Sequence, residues 1–264
     1  MRVIVTGGNS GVGKATAAAL AADGHSVVIA CRDVDKAQQA AAQMPGEVAV
    51  AALDLGDLAS VRAFADSVES VDVLVNNAGV MAVPLTRTAD GFESHIGINH
   101  LGHFALACLL ADRITNRVIS VASATYLFSR LHLEDLNWER RTYSRWAAYG
   151  ESKLANLLFV AALAGRGVRA YATDPGATDT DITRSLDMAE HARIRRLMHS
   201  PAQGARASLQ AVTTDLPSGT YLAPRFNQLG RPKVTRLRRK AVDPDAARRL
   251  WALSAELTGC DWPS

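Results

Sequence analysis

The 264-residue sequence predicts an α/β protein built on a doubly wound parallel sheet, as a single domain over residues 1–264 with a small helical substrate lid at about 177–199. Three observations predict it. Short β-branched apolar runs alternate with Ala-rich helical runs along the chain. The strand runs are apolar almost throughout, as expected when helices cover both faces of a parallel sheet. The links are short, and neither a linker-like Ser/Gly/Pro stretch nor a repeat of about 20–50 residues divides the chain.

The elements follow in order. Strands are expected at 3–5, 27–30, 48–53, 71–75, 117–121 and 168–172, with a short last one at 219–222. Helices are expected at 14–22, 34–43, 58–68, within 91–111, and at 147–164, 201–213 and 245–257, the last stopped by Gly259. In such sheets the ligand lies outside the carboxyl ends of the strands. The informative loops therefore follow Val5, Ala30, Leu53, Val75, Val121 and Ala172.

Composition excludes several classes. Hydrophobic residues at 48% and charged residues at 21% place the chain among globular proteins rather than disordered ones. A net charge of +3 is too small to point to nucleic acid. The basic excess is local, with seven Lys or Arg and no acid between Arg225 and Lys240, either a solvated loop or a contact for an anion. Cys31, Cys108 and Cys260 form neither a disulfide framework nor a metal motif, and His100 and His103 read as structural. The most apolar helix run, 96–111, is interrupted by Asn99, His100 and His103 and falls short of the ~20 residues of a membrane span. With no secretory signal visible, a cytoplasmic location and no membrane partner are expected.

The first loop is Thr6-Gly7-Gly8-Asn9-Ser10-Gly11-Val12-Gly13, between an apolar strand and a helix. Glycines let the backbone turn sharply and approach a bulky anion, and the free N–H groups at the start of the helix favour a pyrophosphate. The second strand ends in Cys31-Arg32, where an NAD site usually carries an acid for the ribose 2′-hydroxyl. Arg32 there can grip a 2′-phosphate, which favours NADP(H) over NAD(H), although Asp33 follows. Asp54-Leu55 follows the third strand, and Asp54 could equally serve as a turn or helix cap.

Tyr149 and Lys153 are four residues apart on one helix face. A free tyrosine titrates near ~10, too high for efficient proton exchange at neutral pH, and a nearby ammonium would lower that value. Ser123 lies just past the fifth strand, where its hydroxyl could hold a carbonyl oxygen, whereas Ser120 sits within the strand.

TGxxxGxG at Thr6–Gly13, Asn76-Asn77-Ala78-Gly79, Asn99, Ser123, Tyr149-x-x-x-Lys153 and Pro175-Gly176-Ala177-Thr178-Asp179-Thr180 occur in the order seen in the short-chain dehydrogenase/reductase family, which the chain resembles over about two-thirds of its length. Leu133–Trp138, Ala148–Asn156 and Leu250–Gly259 are similar to the retinol-dehydrogenase-like branch. The resemblance implies a Rossmann sheet and an NADP(H)-dependent oxidoreductase interconverting a small carbonyl compound and an alcohol. It implies that Gly7, Asn9, Ser10, Gly11, Val12 and Gly13 cradle the cofactor, that Asp54 and Leu55 meet its adenine, and that Asn77, Ala78 and Gly79 lie against it. It further implies that Tyr149 is the general acid/base, that Ser123 binds the substrate oxygen and that Lys153 meets the nicotinamide ribose. Asn99 would bend its helix and hold a water linked to the lysine, and Pro175, Gly176, Thr178 and Thr180 would contact the nicotinamide. Substrate walls are expected within 81–87, 125–145, 177–199 and 223–236, and a homodimer or homotetramer through 91–111 and 147–164. Ala and Arg richness points to a GC-rich bacterial gene. Two other readings stand beside this one: an NADP(H)-binding regulator without turnover, and a sugar-nucleotide epimerase or dehydratase.

Overall fold

A computed structural model of the chain describes residues 1–178, 198–225 and 229–263. In chain order the strands are β1 (Arg2–Thr6), β2 (Ser26–Cys31), β3 (Val48–Ala52), β4 (Val71–Asn76), β5 (Ile114–Val121), β6 (Ala170–Thr173), β7 (Tyr221–Arg225) and β8 (Leu229–Val234). The helices are α1 (Gly11–Ala22), α2 (Val34–Ala41), α3 (Leu58–Asp66), α4 (Ser94–Ile96), α5 (Gly102–Leu109), α6 (Arg145–Gly165), α7 (Pro201–Thr213) and α8 (Pro244–Thr258). The strands belong to one sheet in the order β3-β2-β1-β4-β5-β6-β7-β8, parallel except for β8.

The continuous apolar strands are explained by two cores. Ile4, Leu74 and Val118 face a layer formed by α3, α5, α6 and α8, where Phe64, Phe104, Leu157 and Trp251 are buried. Their neighbours Val3, Val5, Val73 and Ile119 face the other layer, with Leu20 of α1, Ala37 of α2 and Ala211 of α7. Because alternate side chains enter opposite faces, a strand covered on both sides has no polar face to show. The direction in which strands are added reverses between β1, which leads outward to β2, and β4, which leads to β5. The loops after these two strands therefore part, and they open the crevice.

Three departures from the sequence reading have local causes. First, α1 begins at Gly11 rather than 14, because the glycines that mark the turn also supply its first helical residues. Second, the helix expected within 91–111 is not uniform. α4 runs into a π-helical turn at Gly97–Leu101 before α5. Asn99 sits in that wide turn with its side chain bonded to Val80 and Ser152, so the helix accommodates one extra residue to keep those bonds. Third, the sheet has an eighth strand. Residues 229–234 contain Gly230, Pro232 and two cations, which argue against a central strand but suit an antiparallel edge, where Pro224 pairs with Pro232. Thr180 and most of the expected lid lie outside the described residues.

Ile119 is fully buried in the middle of β5, between β4 and β6. Ile119→Ala is expected to lower unfolding free energy by about 2–5 kcal/mol in urea titrations with an unchanged slope, since it leaves a cavity the sheet cannot close.

Candidate active site

A cavity of about 860 Å³ opens at the carboxyl ends of the strands. The turn after β1 lines it through Gly7, Asn9, Ser10, Gly11, Val12 and Gly13, and the turn after β2 through Arg32, Asp33 and Lys36. Asp54 and Leu55 line it after β3, and Asn77, Ala78 and Gly79 after β4. Ser123, Tyr149 and Lys153 line it from β5 and α6, and Pro175, Gly176 and Thr178 from the turn after β6.

The first turn is shaped for close approach. Gly7 has φ +65°, and a Cβ at Gly13 would lie 2.5 Å from the Gly7 carbonyl oxygen and 2.4 Å from Asn77 Nδ2. Asp33, Asp57, Ser144, Ser200 and Asp243 each cap the helix that follows, whereas Ser10 makes no side-chain cap bond to α1. The first amides of α1 thus keep donor capacity facing the cavity. Asp33 accepts from the Lys36 backbone N–H at 2.9 Å, so its carboxylate is engaged at the start of α2. Cys31 is buried, and burial pushes its thiol up, so no charge stands at the end of β2. Asp54 accepts from the Gly56 N–H at 2.9 Å, which makes it a turn former as well as a cavity wall.

A buried polar chain ties this turn to the helices behind it. The Thr6 hydroxyl oxygen accepts from the N–H groups of Asn77 and Ala78 at 2.9 and 3.0 Å, and lies 2.8 Å from His103 Nε2. His103 Nδ1 lies 3.0 Å from the Asn99 carbonyl, which can only accept. His103 therefore carries its proton on Nδ1 and takes the Thr6 proton on Nε2. Burial holds its pKa down at about 4 and that of His100 at about 3, so both are neutral. His100 bonds Ser254 of α8.

Asn99 does not reach the cavity. Its amide clamps both backbone groups of Val80 and donates to Ser152 Oγ at 2.9 Å, and its own carbonyl is engaged by His103. A second clamp, which the sequence reading did not find, holds the same wall three residues on. His95 Nε2 accepts from the Val83 N–H at 3.3 Å, the Tyr143 hydroxyl lies 3.1 Å from the Val83 carbonyl, and both meet buried Glu93. Burial would raise the Glu93 carboxyl, but hydrogen bonds from His95 and the Ile96 N–H outweigh it and hold it low. Ala82, between the clamps, is fully buried at φ +51°, a strained conformation for a residue with a Cβ. The expected wall at 81–87 contributes Met81 and Val83, and 125–145 contributes Thr125 and Phe128. Trp146, just outside the expected span, also lines the cavity. No described residue of 223–236 does, because this stretch is drawn into β7 and edge strand β8.

Tyr149 and Lys153 sit on one face of α6 as their spacing requires, 6% and 3% exposed, with Lys153 Nζ 5.7 Å from the phenol ring centre. Their electrostatics differ from the expectation. Burial pushes the Tyr149 phenol above its ordinary range, Asp174 adds to that, and a hydrogen bond with Ser123 opposes it. Burial also lowers Lys153 to about 8, against the field of Asp174. Lys153 donates to the Val121 carbonyl at 3.0 Å, which also accepts from Asn156 Nδ2 at 3.1 Å. The ammonium is therefore directed at a backbone oxygen, and desolvation rather than Lys153 dominates the phenol. Gly150, between them, admits no side chain: a Cβ there would lie 1.9 Å from Ser129 Oγ.

Among the described residues, no group of three His, Cys, Asp or Glu side chains could hold a metal ion, and no helix is long and apolar enough to cross a membrane. The family model for short chain dehydrogenase matches residues 1–134. Retinol dehydrogenase 12 of Mus musculus is 41% identical, with 98% of this chain and 87% of that protein covered. Retinol dehydrogenase 13 of Homo sapiens is 39% identical over 99% and 86%. A crystal structure of an uncharacterised protein from Mycobacterium paratuberculosis superposes with a TM-score of 0.88 at 46% identity, covering 100% of this chain and 95% of that one. A short chain dehydrogenase from Burkholderia cenocepacia J2315 in complex with NADP has a TM-score of 0.66 at 25% identity, over 83% and 94%.

Burial of the Lys153 ammonium makes stability depend on pH. The unfolded chain holds this proton up to the ordinary 10.5, the folded chain only to about 8, so folding is disfavoured by the ammonium below that range. Lys153→Met leaves the Val121 carbonyl bonded to Asn156. At pH 7 the variant is expected to be more stable than the wild type in denaturant titrations, by an advantage that shrinks as pH rises from about 8 to 10.5.

Proposed function

Since the chain belongs to the short-chain dehydrogenase family, in its retinol-dehydrogenase-like branch, we propose that it is an NADP(H)-dependent oxidoreductase that interconverts a carbonyl compound and an alcohol, with Tyr149 as general acid/base. The observation that carries the proposal is that Ser123, Tyr149 and Lys153 line the same cavity as the glycine turn and Arg32.

The residues present fit the dinucleotide. The uncapped start of α1 and the close approach at Gly7 and Gly13 suit a pyrophosphate. Arg32 and Lys36 stand beyond β2, where Cys31 is uncharged and the Asp33 carboxylate is engaged with α2. That combination favours a 2′-phosphate over a bare ribose, and the Burkholderia relative binds NADP. When bound, the reduced nicotinamide supplies the hydride. The chain's own groups do the rest. Ser123 donates to the substrate oxygen and Tyr149 gives that oxygen its proton, which its raised phenol holds at neutral pH. Lys153, buried beside it, keeps positive charge next to the phenol when the proton leaves. Met81, Val83, Phe128 and Trp146 give the substrate end an apolar wall, in line with relatives named for retinol.

The test is NADPH oxidation followed against a panel of aldehydes and ketones. Turnover with at least one is expected, and Tyr149→Phe is expected to lower it by about 10²–10⁴-fold while NADPH still binds. Binding of cofactor with silence toward every carbonyl would instead favour a sensor. Arg32→Ala is expected to weaken NADPH binding about tenfold or more and to leave NADH binding unchanged.

A further inference from the structure

Asp174, just past β6, is 2% exposed and takes no part in the mechanism above. Its carboxylate accepts three hydrogen bonds. Oδ1 takes the Gly176 N–H at 2.7 Å, and Oδ2 takes the Ala124 N–H at 2.7 Å and the Tyr221 hydroxyl at 2.8 Å. The three donors belong to different parts of the site. Gly176 is in the turn after β6, Ala124 follows Ser123, and Tyr221 rises from β7 and is itself buried. Burial raises the Asp174 carboxyl above its ordinary range, and these three donors, with the Lys153 ammonium, favour the ionised form against it.

The charged and titratable groups around it are few. Lys153 and Tyr149 face it from α6 and Tyr221 from β7, and Tyr126 meets the Tyr221 ring edge-on at 6.4 Å. Asp174 acts on Lys153 through space, since Lys153 Nζ is bonded to Val121. Its field favours the ammonium of Lys153 and disfavours a phenolate at Tyr149.

We propose that Asp174 is a positioning residue of the proton step: one carboxylate locks the Ser123 turn to the Pro175–Gly176 turn and sets a fixed negative charge behind Tyr149 and Lys153. The lock holds a substrate-facing hydroxyl and a cofactor-facing turn at constant separation. The charge keeps Tyr149 loaded with its proton and Lys153 cationic, which favours the reductive direction. This last consequence rests on the proposed function; the lock and the field do not.

The test reads titration rather than turnover. In the full chain carrying ¹³C-labelled lysine, the Lys153 signal is identified by its loss in Lys153→Met, and its midpoint is followed in wild type and Asp174→Asn. Asp174→Asn is expected to lower that midpoint by about one pH unit or more, as loss of a nearby opposite charge requires. In Asp174→Ala, which removes both acceptor oxygens, the Ala124 and Gly176 amides are expected to lose hydrogen-exchange protection together. An unchanged midpoint, or loss at only one amide, would overturn the proposal. If Asp174→Asn does not fold, the reciprocal measurement replaces it. The Asp174 carboxyl must titrate higher in Lys153→Met than in wild type, because the coupling is mutual; no change there refutes it. A chain that shows the shift yet reduces no carbonyl would sink the functional reading and leave the role of Asp174 standing.

Discussion

An ammonium held nine-tenths out of water is the constraint around which the site is organised. Lys153 is 3% exposed and reaches only a backbone carbonyl, which Asn156 already serves. Burial lowers its pKa to about 8, against the field of Asp174. The fold does not relieve this with an adjacent carboxylate; it places Asp174 nearby, fully occupied by three other donors. Uncompensated groups of this kind lower stability and are kept where chemistry uses them.

The rest of the fold opens the cavity beside that charge and fixes its walls. The parting of the loops after β1 and β4 opens the crevice, and Thr6, His103 and Asn99 link the glycine turn to the π-helical bend without admitting a charge. The bend aims Asn99 at Val80, and Glu93, His95 and Tyr143 hold Val83, so the wall facing Tyr149 is fixed at two points. Preorganised walls of this kind orient a substrate without cost at the moment of reaction.

Much of this was legible in the sequence, and the limits have physical causes. Alternating apolar and helical runs read correctly as a doubly wound sheet, because burial on both faces leaves no other pattern. Gly7, Arg32, Ser123, Tyr149 and Lys153 were readable because each stands at a strand end or on one helix face, where spacing determines position. The sign of the Tyr149 perturbation was not, since it depends on desolvation and on Asp174, twenty-five residues and two elements away. Edge strand β8 escaped because its proline and cations suit only a strand with one side unpaired. Glu93, His95 and Tyr143 escaped because they meet across a loop and leave no periodicity. Asn99 stands in the helix bend expected of it, but the clamp its amide makes on Val80 and Ser152 joins residues far apart in the chain and leaves no spacing signal.

In the proposed reaction, hydride passes to a carbonyl carbon beside Tyr149. The most direct measurement supplies NADPH deuterated on one face of nicotinamide C4, together with an aldehyde or ketone, and examines the product by mass spectrometry. One deuterium bonded to the former carbonyl carbon, from one of the two labelled faces only, is the predicted result. Product formed with no label from either face, or cofactor that binds and keeps its deuterium in the presence of every carbonyl tried, would contradict it.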